Sequence, residues 1–306
     1  MKTKMFEMPK YKPVLKNMSA VQGGKIIHYY DVKIPQNEYR EKYFECSIDT
    51  VFSPENQQPV SEIHSLLKFS VLKKEVGNAF QTRFIIHSTD VSGTNQEVFK
   101  LLDLNQLLSI PTKEIVCLLN SNGSIKEVLN TDQIHKKWKE VFEMLKRKTT
   151  DEQFLTKISD TGEKEFSNPM SGIEKTQLYN LFFFPLFNRQ FEYGKTSVFQ
   201  IMEASHLLNE QTLDVSLLEK YLKIDNSYVN FHFDGSILNS KELFSKSKKI
   251  FGNLLNQNST YKGEMSVEYQ LNAEYGYPIL IKSKLREMLV GAFLYEQKME
   301  IKEINS

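Results

Sequence analysis

The stretch LYNLFFFPLF, residues 178–187, is the most apolar part of the 306-residue chain, and we call it the plug. Nine of its ten residues are hydrophobic or proline, and Asn180 is the exception. Ten residues are too few to cross a bilayer, which takes about 20 apolar residues in a helix. Large aromatic side chains dominate protein cores, so we expect the plug to be buried. The alternative is an apolar surface that contacts a partner or a ligand. Its candidate binding residues are Phe182, Phe183, Phe184 and Phe187.

A helix is predicted to lead into the plug. Ser171 and Glu174 have the spacing of a capping box, so a helix can run from there to about Phe183. Pro185 disfavours helical backbone at Phe184. We therefore expect the plug to be the end of a helix that continues as a strand or a loop.

The composition is that of an ordinary globular protein, with 40% hydrophobic and 25% charged residues. A formal net charge of +1 gives no global electrostatic reason to expect nucleic acid or an anionic membrane as a partner. The two cysteines, Cys46 and Cys117, are expected to be reduced and buried. There is no secretory h-region and no window of about 18 apolar residues. These features predict a cytoplasmic protein without a membrane span, and a periplasmic protein whose signal has been removed would share them.

Three segments are predicted. Residues 1–20 contain five lysines, one glutamate and two prolines, which favours a basic and flexible N-terminal arm. Residues 149–172 are polar and rich in turn-forming types, as a connection should be. They divide the remainder into a half at 21–165 and a half at 166–306, and the two halves can pack as one domain.

Two stretches, 114–148 and 228–256, follow the same order of features. Each begins with an apolar run and then has a dipeptide that favours hairpin turns, Asn122-Gly123 or Asp234-Gly235. Each then reaches a Leu-Asn pair ahead of an amphipathic helical pattern. The order predicts an internal duplication of a strand-turn-strand-helix unit.

The Leu-Asn pairs have the pattern of helix starts. Asn130 and Asn239 are the predicted N-caps, each with a glutamine or glutamate three residues later as the partner in a capping box. The leucine before each asparagine, Leu129 or Leu238, is predicted to pack on the first turn as a hydrophobic staple.

The rest of the chain has the pattern of β-strands. Four runs at 24–34, 43–52, 65–72 and 82–89 are rich in β-branched and aromatic residues. Near the C-terminus, apolar residues alternate with polar ones, which predicts antiparallel strands with one solvated face. The fold class predicted is α+β: antiparallel sheets, each with a long amphipathic helix packed across one face. This layout resembles curved-sheet-plus-helix carriers such as the periplasmic lipoprotein-carrier fold, although no sequence motif carries the resemblance.

Catalytic and metal-binding motifs do not emerge from the sequence. None of the six histidines stands at a metal-ligand spacing from another His, Cys or carboxylate. Asp160-Thr161-Gly162 is the aspartic-protease triplet, but it occurs without a second copy, and we expect a surface turn. No metal and no cofactor are predicted, and an enzyme is disfavoured. Scattered Asp, Glu and His side chains can still meet in space.

His232 is the one histidine kept as a candidate binding residue. On the strand at 229–233 it points the same way as Asn230 and Asp234, opposite to two phenylalanines. Such a polar strip is expected to be a solvated face, and a shallow binding site is the alternative.

Two functions follow from these observations. The leading hypothesis is a non-catalytic protein-interaction or assembly component of bacterial type, adaptor-like or chaperone-like, with a protein partner. It rests on the absence of catalytic motifs, the basic arm and the aromatic content of 21 Phe and 14 Tyr. The alternative is a carrier of an apolar small molecule in a groove between sheet and helix. The predicted lining of that groove is Trp138, Phe142, Phe231 and Phe233.

Overall fold

The computed structural model describes residues 14–22, 25–34, 36–54, 59–94, 104, 106–191, 196–208, 211–224 and 227–304. The strands are β1 (Val14–Gln22), β2 (Lys25–Lys33), β3 (Tyr39–Pro54), β4 (Ser61–Val76), β5 (Ala79–Gly93), β6 (Glu114–Leu119), β7 (Ile125–Val128), β8 (Gln190–Phe191), β9 (Val198–Ala204), β10 (Thr212–Ile224), β11 (Tyr228–Ile237), β12 (Tyr261–Asn272), β13 (Pro278–Leu289) and β14 (Phe293–Ile304). The α-helices are α1 (Thr131–Lys148), α2 (Glu152–Ser167), α3 (Met170–Ile173), α4 (Gln177–Phe182) and α5 (Ser240–Phe251). Of the predicted arm, residues 1–13 lie outside the described residues, and residues 14–20 belong to β1.

Most of the strands form one antiparallel sheet. Its order is β7-β6-β5-β4-β3-β14-β13-β12-β11-β10-β9, and β1-β2-β8 form a separate three-stranded sheet. Strand β3 pairs with β14 from Tyr43 opposite Ile304 to Pro54 opposite Phe293. The residues on both sides of the predicted division at 165 therefore contribute to the same eleven-stranded sheet.

The predicted fold class is wrong. The chain is mostly antiparallel sheet with a few short helices, and it is not a balanced α+β arrangement with a long helix across each sheet. The longest of the described helices, α1, buries Ile134, Trp138, Val141 and Leu145, but it packs against α2 and against the short 3-10 turn Ile110–Thr112. A helix can satisfy its apolar stripe on another helix as well as on a sheet. The amphipathic pattern therefore predicts the helix correctly but does not indicate which element its apolar face packs against.

The contact between α1 and α2 depends on a glycine. Gly162 faces the indole of Trp138, and a Cβ atom at this position would lie 2.1 Å from Trp138 Cζ2. The Asp160-Thr161-Gly162 triplet, predicted as a surface turn, thus lies inside α2 at the point where the two helices approach most closely. Glu163 fixes the same contact by accepting hydrogen bonds from the Trp138 indole at 3.2 Å and His135 at 2.7 Å.

The predicted duplication does not recur as a unit. The Asn122-Gly123 dipeptide belongs to the turn between β6 and β7, where Gly123 has φ +95° and donates to the Asn120 carbonyl. Asp234-Gly235 instead lies inside β11 and pairs with both neighbouring strands. A Cβ atom on Gly235 would lie 2.7 Å from Leu217 Cδ2. This glycine permits close packing inside the sheet and makes no turn.

The two asparagines at the helix starts form hydrogen bonds to neighbouring strands and do not form the predicted caps. Neither Asn130 nor Asn239 forms a side-chain cap. The Asn130 side chain accepts from Val116 N and donates to the Glu114 carbonyl, each at 2.9 Å. Asn239 does the same with Asp214 N at 3.1 Å and the Thr212 carbonyl at 2.9 Å. Each amide therefore extends a strand pairing beyond the last residue of the strand. The staple leucines, Leu129 and Leu238, are exposed and do not pack on the helices.

The inner face of the large sheet carries the core, as the alternating pattern near the C-terminus predicts. Met265, Val267, Tyr269 and Leu271 of β12 are all buried, which confirms the predicted face of that strand. The outer face carries ion pairs, including Lys282–Glu300, Lys284–Glu296 and Lys302–Glu45. Exposed pairs of this kind stabilise little, but they mark this face as solvated.

We expect Asn130→Ala to lower the free energy of unfolding by about 2 kcal/mol, because the Val116 N–H and the Glu114 carbonyl lose their partner. Asn239→Ala should have an effect of similar size. Urea denaturation of each variant measures this. Asn168→Ala is the control, since Asn168 is exposed at the end of α2 and its side chain makes no hydrogen bond to the described residues. An Asn130→Ala midpoint equal to that of the control would contradict the strand-extending role.

Candidate functional site

The plug lies on the inner face of the sheet, and Phe182 contacts one half of that face. Phe44, Phe69 and Phe84 stack across β3, β4 and β5, with ring centroids 5.2 and 4.5 Å apart. The Phe182 ring meets all three edge-on, at 5.1, 5.6 and 5.7 Å. Edge-to-face packing at these distances is the favoured geometry for aromatic pairs.

Phe184 contacts the other half of the face. Its ring lies 4.8 Å from Phe199, 5.4 Å from Phe233 and 5.4 Å from Tyr269. Helix α4 ends at Phe182, as Pro185 predicts, but the predicted helix from Ser171 is interrupted between α3 and α4, and Ser171 is not its N-cap. The two phenylalanines therefore leave the backbone from a helical and a non-helical position. The plug thereby joins the N-terminal and C-terminal strands of the sheet.

Hydrogen bonds attach the plug and the residues just before it, from Lys175 onwards, to both ends of the sheet. We call this longer segment the plug region. At edge strand β9, Asn180 Nδ2 donates to the Met202 carbonyl at 2.6 Å, and the Ala204 N–H donates to the Lys175 carbonyl at 3.2 Å. At the β6–β7 turn, the Phe187 N–H donates to the Asn122 carbonyl at 2.9 Å. The plug region therefore lies between the two edge strands of the sheet, β7 and β9. We call this junction the seam.

A cleft of about 530 Å³ opens in this seam. That volume lies within the range of small-molecule pockets. It is bounded by β7, β9 and β10, by helices α3 and α4, and by the end of the plug. The lining is mostly apolar and consists of Ser124, Ile125, Met170, Ile173, Glu174, Tyr179, Asn180, Phe183, Pro185, Gln200, Ile201, Met202, Asp214, Val215 and Leu238.

The mouth of the cleft exposes apolar side chains. Leu238 is 57% exposed and Met202 is 43% exposed, and both line the cleft. Large apolar side chains at the rim of an apolar cavity are characteristic of ligand or partner sites.

The residues predicted to form a binding site do not lie together in the structure. Phe182, Phe183 and Phe184 are buried, and Phe187 is half-buried. Among these four, Phe183 lines the cleft. His232 lies on the outer face of β11, where its ring nitrogens are 3.1 Å from Asp234 and 3.6 Å from Glu268. His232 does not line the cleft, although Met202 and Asp214 of the lining lie on the same face of the sheet as His232 by register.

The predicted groove lining is wrong. Trp138 and Phe142 pack together under α2, with the Phe166 ring 5.1 Å from the indole. Phe231 and Phe233 are buried in the core against the rings of Phe191 and Phe184. The cleft is lined by none of the four residues predicted. Its lining comes from β7, from the segment between Met170 and Pro185, from the paired strands β9 and β10, and from Leu238.

A buried acid lies behind Asn180. The Asn180 amide donates to Glu203 Oε1 at 3.1 Å, and Glu203 is 2% exposed. Burial raises the pKa of Glu203 to about 8, although the Asn180 hydrogen bond acts in the opposite direction. A carboxyl group in an apolar setting is held neutral at neutral pH in this way. Asn180, the single polar residue of the plug, was the only sequence signal for the pair of Asn180 and Glu203. Its partner on β9 was not predictable from the sequence.

We expect the free energy of unfolding to fall, on account of Glu203, as the pH rises from its ordinary pKa of 4.5 to its folded value of about 8. Between these values the folded chain binds more protons than the unfolded chain, so stability decreases with pH. Glu203→Gln removes this dependence and should become more stable relative to the wild type as the pH increases. Chemical denaturation across this range measures the difference.

Glu174→Gln supplies the control for the loss of a nearby exposed carboxylate. A stability difference between Glu203→Gln and the wild type that stays constant from about pH 5 to about pH 8 would contradict the buried neutral acid.

A second buried carboxylate is satisfied internally. Glu287 accepts hydrogen bonds from the Tyr261 hydroxyl, from Ser205 Oγ at 2.7 Å and from the His206 N–H at 2.8 Å. The His206 ring stacks on Tyr295 and does not contact Ser205 Oγ as a general base would. This network fixes the loop after β9 to the sheet and does not form a nucleophile–base pair.

Lys73 is enclosed by aromatic rings. Its ammonium lies 4.9 Å from the Tyr39 and Phe187 ring centroids and 5.4 Å from that of Phe80. Burial lowers the pKa of Lys73 to about 7. The rings compensate part of the lost hydration through cation–π attraction.

The described part of the chain contains neither a metal-binding cluster nor a membrane-spanning helix. It brings no three His, Cys, Asp or Glu side chains together as a metal site. None of its helices is long and apolar enough to cross a membrane. Cys46 and Cys117 are both buried free thiols, and burial raises the pKa of each to about 12.

Comparisons with known proteins find little. No protein-family model and no curated protein sequence matches the chain. A solved structure described as "Lipid-protein interactions in lipovitellin" is similar with a TM-score of 0.46 and 9% sequence identity. The similarity covers 87% of this chain and 25% of the lipovitellin chain, so this chain spans about a quarter of that one. A likeness of this degree carries no argument about function.

Proposed function

We propose that the protein binds an apolar small molecule in the seam cleft and serves as a carrier or binding protein for it. The observation that supports the proposal most directly is the cleft of about 530 Å³ with a mostly apolar lining and a few polar groups. Pockets of this size and composition are the usual sites for small ligands.

The position of the cleft supports the same function. It lies between two edge strands that the plug joins by a small number of hydrogen bonds, so a ligand can enter without passing through the continuous sheet. The exposed Leu238 and Met202 at the mouth would lose contact with water when a ligand is bound. Burial of such surface contributes about 25 cal/mol per Å².

The interaction hypothesis has less support. It assigned the contact surface to the phenylalanines of the plug, and three of the four are buried against core rings. Replacing them would remove core packing and would not isolate a binding surface. The carrier proposal depends on a cavity and on residues that can be changed without touching the aromatic core.

Nile red, a neutral apolar dye, provides the first test. We expect a saturable fluorescence increase with the wild-type protein, and competition by decanol. Ile201→Trp places a large ring in the cleft and should weaken dye binding by about tenfold or more, which corresponds to about 1.4 kcal/mol.

Val198→Trp is the matched control, because Val198 is exposed on the same strand and does not line the cleft. Gln200→Trp, at an exposed position that does line the cleft, replaces Ile201→Trp if that variant is unstable. Equal dye affinity for the wild type, Val198→Trp and the cleft variants would overturn the proposal.

A further inference from the structure

The charged groups of the cleft are all acidic. Glu174 and Asp214 line it, and its lining contains no Lys, Arg or His. Both acidic residues are exposed, and neither side chain forms an ion pair within the described residues. A carboxylate or phosphate bound here would face two like charges without a compensating cation, whereas a cation would be attracted by both.

Asn180 adds an unused acceptor to the lining. Its Nδ2 group is surrounded by three oxygens: the carbonyls of Glu174 and Met202, and Glu203 Oε1. Exchanging the amide oxygen and nitrogen would place Oδ1 against the two backbone carbonyls, which cannot donate, so the orientation of the amide is fixed. Within the described residues Oδ1 accepts no hydrogen bond, and a ligand that donates an N–H or O–H would satisfy it.

Two aromatic residues also contribute to the lining of the cleft. Tyr179 and Phe183 both line it. The face of an aromatic ring carries negative charge density and attracts ammonium groups. Two carboxylates, one free acceptor and two rings are all suited to a cation that donates hydrogen bonds.

We infer that the cleft selects amphiphiles with an aliphatic chain and a protonated amine head group, and that it discriminates against fatty-acid anions. This inference rests on the proposed function, because it concerns the head group of a ligand whose chain occupies the same cleft. The chain lies against the apolar lining, and the ammonium group lies near Glu174, Asp214 and Asn180.

Displacement of Nile red by decylamine, decanol and decanoate tests the inference, since the three competitors differ only in the head group. At about pH 7 the amine is protonated and the acid is ionised. We expect the affinity to decrease in the order decylamine, decanol, decanoate. Added salt should narrow the difference between amine and acid, because the carboxylates are exposed.

Variants of the two carboxylates separate the head-group effect from chain binding. Glu174→Gln and Asp214→Asn should each weaken decylamine binding by about threefold, as exposed charge pairs do, and leave decanol binding unchanged. Glu268→Gln, on the outer face of β12, is the control for a change in net charge.

The outcomes are distinguishable. Decanoate binding as tightly as decylamine, or a preference for the amine that persists in the double variant of Glu174 and Asp214, would overturn the head-group inference alone. Displacement by none of the three compounds would overturn the ligand-binding proposal and the inference together.

Discussion

The structure depends on how the aromatic rings of the plug fill the inner face of an open sheet. An antiparallel sheet with eleven strands has an apolar face too large to be covered by one short helix. Phe182 covers the stacked rings of β3, β4 and β5, and Phe184 covers those of β9, β11 and β12. Because the two residues are separated by only one position, they hold the distant strands at a fixed spacing.

An open sheet leaves two edges with unpaired backbone groups, which invite association with other chains. Here the plug region covers part of both edges through a few hydrogen bonds. The Asn180 side chain donates a hydrogen bond to a carbonyl of β9, and the Phe187 N–H donates one to the turn beside β7. The seam is therefore closed by side chains and short helices, which pack less continuously than a strand would. The cleft is the space that this incomplete closure leaves, and its acidic and apolar groups come from elements that meet only there.

The strands could be predicted from sequence because the alternation of apolar and polar residues records which side of a strand is buried. Met265, Val267 and Tyr269 lie on the core face as their spacing indicates. Pairing between distant strands leaves no such local record, so the joining of β3 with β14 was not predictable and the fold class was wrong. Asp234-Gly235 has the composition of a turn, but packing against Leu217 places it within a strand. The cleft was missed for a related reason: Ile201 and Val215 are ordinary paired strand residues, and the cleft forms only where the plug and Ile125 of β7 lie beside them.

The pairing of β3 with β14 also bears on how the chain folds during synthesis. Strand β3 is synthesised well before its partner β14, which follows everything between Pro54 and Phe293. Throughout that interval one edge of β3 has no native neighbour, although it lies at the centre of the finished sheet. Long-range pairing of this kind slows folding and leaves strand edges exposed to aggregation. The native sheet around β3 is therefore complete only once β14 is available to pair with it.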